Sequence, residues 1–160
     1  LVPMQEARAL QPAQFTAAGT TNMAAGIHLA LDIIEDRKHA YKAAGLQYYR
    51  PWILLLTDGK PNVDGFEDAI ARLNQVEKAR GVTVFAVGAG PRVNYDQLAR
   101  LSVQRSPAPL EGLKYEALFE WLSASLANVS NSAEHGGSDE AFGAMGDQIP
   151  LPPVSGWTSA

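Results

Sequence analysis

Cysteine is absent from the 160 residues. Disulfide frameworks, thiolate metal centres and cysteine nucleophiles are excluded with it. Long apolar runs are missing as well. The longest, Trp52 to Leu56, has the length of a strand, whereas a membrane span needs about 18 apolar residues. Basic blocks are scarce: Arg37-Lys38-His39 is the longest cationic stretch, and 13 Lys and Arg stand against 17 Asp and Glu for a net charge of −4. That balance argues against a nucleic-acid binder working through a broad basic face. No secretory leader is visible, so the expected compartment is the cytoplasm and no membrane partner is expected. The first residue is Leu, which reads as a fragment, a processed form or part of a longer protein.

What is present fits one globular domain: 46% of residues are apolar and 19% charged. After an irregular opening, Gly19-Thr20-Thr21-Asn22 carries helix-start chemistry. Met23, Ile27, Leu31 and Ile34 then form one apolar helix face, and Gly45 stops the helix. Trp52 to Thr57 is continuously apolar, as a strand covered on both sheet faces would be. Asp58-Gly59-Lys60-Pro61-Asn62 is turn chemistry. Asp64 and Glu67 resemble a capping box for a helix whose apolar face is Phe66, Ile70, Leu73 and Val76, and Gly81 ends it. Val82 to Val87 is a second strand, broken by Gly88-Ala89-Gly90-Pro91. Asn94 caps a short helix, Pro107 and Pro109 allow only a short edge strand near Leu110, and a last helix spans about Lys114 to Asn128. Strands alternate with helices, so the fold class is α/β: an open, Rossmann-like parallel sheet flanked by helices. Two central-type strands are too few to cover their own edges, and the sheet reads as lacking its first strands. The predicted domain covers 1–129. Residues 130–160 read as a flexible Gly-, Ser- and Pro-rich tail with a docking segment at 149–157, anchored by Ile149, Leu151 and Trp157.

The chemistry concentrates on Thr21, at a helix start, and Asp58, just beyond a buried strand. In open α/β sheets ligands bind outside the carboxyl ends of the strands. A hydroxyl and a carboxylate there suit a hard divalent cation such as Mg²⁺, which keeps several waters. The plainer alternative is that Thr21 caps a helix and Asp58 opens a turn. Other motifs are weaker. Gly88-Ala89-Gly90 lacks the third glycine of a dinucleotide loop, where Val93 stands. Gly59-Lys60 is followed by proline rather than the Ser or Thr of a phosphate loop. His28, His39 and His135 do not fall at metal-ligand spacing, and His28 with Asp32 reads as a surface pair. The sequon Asn128-Val129-Ser130 has no secretory context.

Three ordered stretches resemble consecutive motifs of the von Willebrand factor A domain: Gly19-Thr20-Thr21-Asn22-Met23-Ala24-Ala25-Gly26-Ile27, then Trp52 through Gly59, then Gly81 through Gly90. The stretches from Val2 to Thr21 and from Phe119 to Leu126 are similar to the TerY-like group of that family, which is associated with tellurite-resistance and stress-response gene clusters. The resemblance implies a metal-ion-dependent adhesion site built from an Asp-x-Ser-x-Ser loop, a threonine and an aspartate. Thr21 matches the threonine and Asp58 the aspartate, whereas no Asp-x-Ser-x-Ser pattern occurs in this sequence.

The implied function is protein–protein interaction. A divalent cation (Mg²⁺ first, Ca²⁺ or Mn²⁺ as alternatives) would be completed by an Asp or Glu of a partner protein. Among the partner-binding residues, Thr20 and Asn22 would shape the loop without ligating, and Lys60 and Asn62 would contact the partner as rim residues, the plainer alternative being solvated turn residues. With two side-chain oxygens alone, binding is expected to be weak and the site to stand unoccupied at times. One alternative is the same fold without a working metal site, binding through other surfaces or the tail. A second is a phosphotransfer or hydrolytic enzyme centred on Asp58, a role that lacks its acidic metal ligands and separate lysine here. The expectation is therefore no catalysis. Self-association, or an upstream segment, would complete the sheet.

Overall fold

A computed structural model describes residues 22–58 and 64–132, together with Ala9, Gln11 and Thr158. Helix α1 (Met23–Ala43) forms because its apolar residues recur at helical spacing, and Met23, Ile27, Leu31 and Ile34 are all buried. It ends where Gly45 takes a positive φ of 67°, with the Gly45 and Leu46 amides donating back to the Lys42 and Tyr41 carbonyls. Strand β1 (Trp52–Thr57) leads into α2 (Phe66–Lys78), then β2 (Thr83–Ala89), the short α3 (Tyr95–Ala99), β3 (Ala108–Leu110), a 3₁₀ turn (Glu111–Leu113) and α4 (Tyr115–Ser132).

The three strands form a parallel sheet in the order β1-β2-β3, with Trp52 opposite Thr83 and Val87 opposite Ala108. Alternation along the strands divides the core. Ile53, Val84 and Ala86 face α1 and α2, where Ile27, Leu31, Ala69, Ile70 and Leu73 meet them. Val87 and Leu110 face the other way, toward Leu118 and Trp121 of α4, with Leu54 and Phe85 partly buried beside them. The α/β expectation therefore stands, with helices on both faces of a parallel sheet.

Several sequence expectations need correction. The apolar run of β1 predicts a strand covered on both faces, yet only Ile53 is buried and Leu56 is 39% exposed. The reason is position: β1 is the outer strand of the described sheet, and the only described helix on its second face is α4. The capping box does not form. Gly65, in the left-handed region at φ 89°, is the cap residue of α2 and offers no side-chain hydrogen bond. Glu67 is then free to turn outward and pair with Arg100. Strand β2 does not break at Gly88; it continues to Ala89, paired with Leu110, and turns at Gly90, where φ is 111°. Helix α4 runs past the expected Asn128 to Ser132. His28 and Asp32 do share a helix face, but Arg72 of α2 bridges them, with its guanidinium 2.6 Å from the Asp32 carboxylate and 3.3 Å from His28 Nδ1.

Helix α2 ends less conventionally than α1. The Arg80 amide donates to the Glu77 carbonyl and the Gly81 amide to the Val76 carbonyl, a Schellman arrangement with Arg80 at the left-handed position, φ 58°. One turn earlier, Glu77 is fully buried, with 0% exposure. Its carboxylate accepts from the Val84 amide (3.1 Å), the Ser102 hydroxyl (2.9 and 3.0 Å) and the Val103 amide (2.7 Å). Strand β3 pairs only with residues Val87 to Ala89. The Glu77 side chain thus satisfies the Val84 amide, which lies on a part of β2 that β3 does not reach.

Candidate functional site

Asp58 is the first residue beyond β1, so strand geometry delivers it to the carboxyl edge of the sheet. The Asn94 amide donates to its carbonyl at 2.9 Å. Asn94 also caps α3, its side chain accepting from the Gln97 amide at 3.1 Å. The loop after β1 is thereby tied to the loop after β2, which fixes the backbone at Asp58. Asp58 makes at least one further interaction beyond this hydrogen bond.

The start of α1 reaches the same edge. A Cβ on Gly65 would lie 3.9 Å from the Ala24 Cβ, so the first turn of α1 abuts the first turn of α2. At the other end Lys38 of α1 donates to the Gly81 carbonyl, just past the end of α2, at 2.5 Å. The two helices therefore run side by side in the same direction, with both N-termini at the edge that carries Asp58. Their partial positive ends make this edge favourable to an approaching anion.

Asn22 is exposed and its side chain accepts from the Ala25 amide at 2.9 Å, while its carbonyl accepts from Gly26. It is the N-cap of α1, and that role already uses its side-chain oxygen. Thr20, Thr21, Lys60 and Asn62 lie outside the described residues, as do the tail anchors Ile149, Leu151 and Trp157. The structure thus brings Asn22 and Asp58 to one end of the sheet.

Among the described residues, no three His, Asp or Glu side chains converge as a ligand set. Of the expected donors, the Asp58 carboxylate belongs to a described residue at this edge, and the Thr21 hydroxyl is given by the sequence alone. Hard oxygen donors of that number fit a cation that retains most of its water, as Mg²⁺ does, rather than one enclosed by protein. They do not fit zinc in a thiolate cage, because the chain has no cysteine.

Close to this edge an exposed ion pair joins the start of α2 to the end of α3. Its hydrogen bond from Arg100 holds the Glu67 carboxyl below its ordinary value and raises the Arg100 guanidinium, opposed in each case by slight desolvation. Sequence reading missed the Asn94 tether, because a backbone donor carries no residue signature. It also missed a cluster at the opposite end of the sheet. There Tyr41 and Tyr48 lie 5.9 Å apart, Arg37 stands 5.6 Å over the Tyr41 ring and Lys38 stands 6.0 Å over Tyr48. The spacing of Arg37, Lys38, Tyr41, Tyr48 and Tyr49 was the available signal.

Among the described residues, no helix is long and apolar enough to cross a membrane. Comparison with protein-family models matches residues 5–112 to the von Willebrand factor type A domain. No curated protein and no solved structure matches the chain.

Proposed function

The chain belongs to the von Willebrand factor type A domain family, and from that premise we propose that it is a protein-interaction module whose docking edge is the carboxyl end of the sheet. The observation that carries this reading is the position of Asp58, immediately beyond β1, tethered through its backbone to Asn94 and flanked by the N-termini of α1 and α2. In this reading Thr21 and Asp58 hold a divalent cation, Mg²⁺ before Ca²⁺ or Mn²⁺, and the cation supplies an open position that a partner's Asp or Glu completes. Thr20, Lys60 and Asn62 meet the partner around it, and Asn22 shapes the loop as a cap. The positive ends of two helices add to the attraction for the partner's carboxylate. The role is read as binding rather than catalysis, since Lys60 is too close in sequence to Asp58 to act as a separate phosphate-binding lysine and Asp64 stands just before α2. The stretches similar to the TerY-like group would place the module in a cytoplasmic bacterial response to tellurite or another stress.

Calorimetric titration with Mg²⁺, and electron paramagnetic resonance with Mn²⁺, test the reading. The full chain should bind one ion, and Asp58→Ala and Thr21→Ala should each abolish binding with circular dichroism unchanged. Ion binding that ignores both substitutions, or no binding at all, refutes the metal-dependent mechanism. A second reading, the same fold binding through other surfaces, is favoured by the absence of a convergent ligand set among the described residues. It predicts partner binding that survives both substitutions and a chelator.

A further inference from the structure

The end of the sheet opposite Asp58 carries a surface that the carboxyl-edge reading does not use. A groove of about 340 Å³ opens where β1 begins, walled by Tyr49, Pro51, Trp52 and Leu54 on one side and by Leu122 and Leu126 of α4 on the other. A second hollow of about 190 Å³ adjoins it across Tyr49 and Pro51, with Arg37 and Lys38 in its wall. No described carboxylate lines either one. Cations frame both: Arg50 lines the groove, and Arg105 stands 5.1 Å over the ring of Phe85, which also lines it. Leu126, on the groove's rim, is 47% exposed. Aromatic rings, arginines and open apolar surface are the composition of binding centres.

Three observations identify the occupant. First, α4 delivers the chain to this place: Val129 lines the groove, and the helix ends at Ser132. Second, residues 133–160 carry Glu134, Asp139, Glu140 and Asp147 but no Lys or Arg, so their charge is opposite to that of the groove's rim. The same stretch holds Ile149-Pro150-Leu151-Pro152-Pro153-Val154 and Trp157, an apolar series whose prolines favour the extended polyproline conformation that aromatic-lined grooves accept. Third, Thr158 is only 8% exposed and is engaged in an interaction, so the far end of this stretch is packed and not free in solvent.

We infer that residues 149–157 of this chain occupy the groove between α4 and the start of β1, with the acidic residues of 134–147 set against Arg37, Arg50 and Arg105. Because the segment is tethered at Ser132, its docking is intramolecular and needs little intrinsic affinity. While docked, it withholds the groove from any other protein. The inference does not depend on the metal reading of Asp58.

Hydrogen–deuterium exchange of the full chain tests it. Amides of residues 151–158 should exchange at least about tenfold more slowly than those of 136–146. Leu126→Asp, at an exposed rim position, should return them to the unprotected rate while β2 and α2 stay protected, and Trp157→Ala should do the same. Raising NaCl to about 0.5 M should weaken the protection, because the charged part of the contact is screened. Unprotected amides in the unmodified chain overturn the inference, as does protection that survives both substitutions. Protection that grows with protein concentration assigns the groove to a second copy and overturns it equally.

Discussion

Glu77 is the most demanding side chain in the fold, and its replacement gives a sharp test of how the sheet is held together. The carboxylate sits near the C-terminal end of α2, where the helix dipole disfavours an anion. It has no exposure to water and accepts from two backbone amides and one hydroxyl at 2.7–3.1 Å. Hydrogen bonds to a charged acceptor contribute about 1.5–3 kcal/mol each, against about 1 for neutral pairs. Glu77→Gln keeps the shape but removes the charge and turns an amide NH₂ toward a donor, so it should lower stability by about 2–3 kcal/mol. Glu77→Ala strands the Val84 amide and the Ser102 hydroxyl in the interior, and two orphaned donors at about 1–3 kcal/mol each put the loss near 4 kcal/mol. A domain with about 5–15 kcal/mol of total stability should survive the first change and be close to unfolding with the second. Urea denaturation followed by circular dichroism measures both. If Glu77→Ala costs less than about 1 kcal/mol, water or another acceptor must reach the site, and the bracket described here does not hold β2.

Four further outcomes follow from local geometry. Asn22→Ala should lower stability by about 1 kcal/mol while Asn22→Ser leaves it nearly unchanged, since the side chain works as a cap; thermal unfolding checks this. Arg80→Gly should raise stability by about 1 kcal/mol in the same assay, because a residue with a Cβ is strained at φ 58°. Gly81→Ala should instead destabilise, its new Cβ meeting Val76 Cγ1 at 2.8 Å and the Val76 carbonyl at 3.1 Å. Glu67 should titrate below the usual glutamate range in an NMR experiment and return toward it in Arg100→Ala. With its folded pKa lowered, the pair's small contribution is present above the unfolded pKa and fades as pH falls through the folded one.

Much of the fold was legible in the sequence because it rests on short-range pattern. The apolar spacing of Met23, Ile27, Leu31 and Ile34 defines α1, and Gly45 ends it where a left-handed residue is needed. The run from Trp52 to Thr57 marks β1 to the residue. What pattern does not encode is neighbourhood. A continuous apolar run fits a covered strand, and nothing local reveals that Leu56 faces outward. Glu67 has the right spacing for a capping box, but a salt partner 33 residues away, just past the end of α3, claims it. Glu77 reads as one more polar residue near a helix end, and only the tertiary fold brings Val84, Ser102 and Val103 around it. Of the site, Asp58 was legible as a carboxylate at a strand end, while its anchoring by a backbone amide leaves no trace in residue identity.

The sheet also acts as a partition. Consecutive residues of β2 send Val84 and Ala86 into one apolar cluster and Val87 into the other, so the two share a backbone but not side-chain contacts. A cavity opened by Leu73→Ala on one side cannot be relieved by repacking around Leu118 on the other. Losses from such paired truncations should therefore sum with almost no cross-term. Sequence drift in this chain can then proceed as two nearly separate problems of volume, each compensated only by substitutions on its own side of the wall.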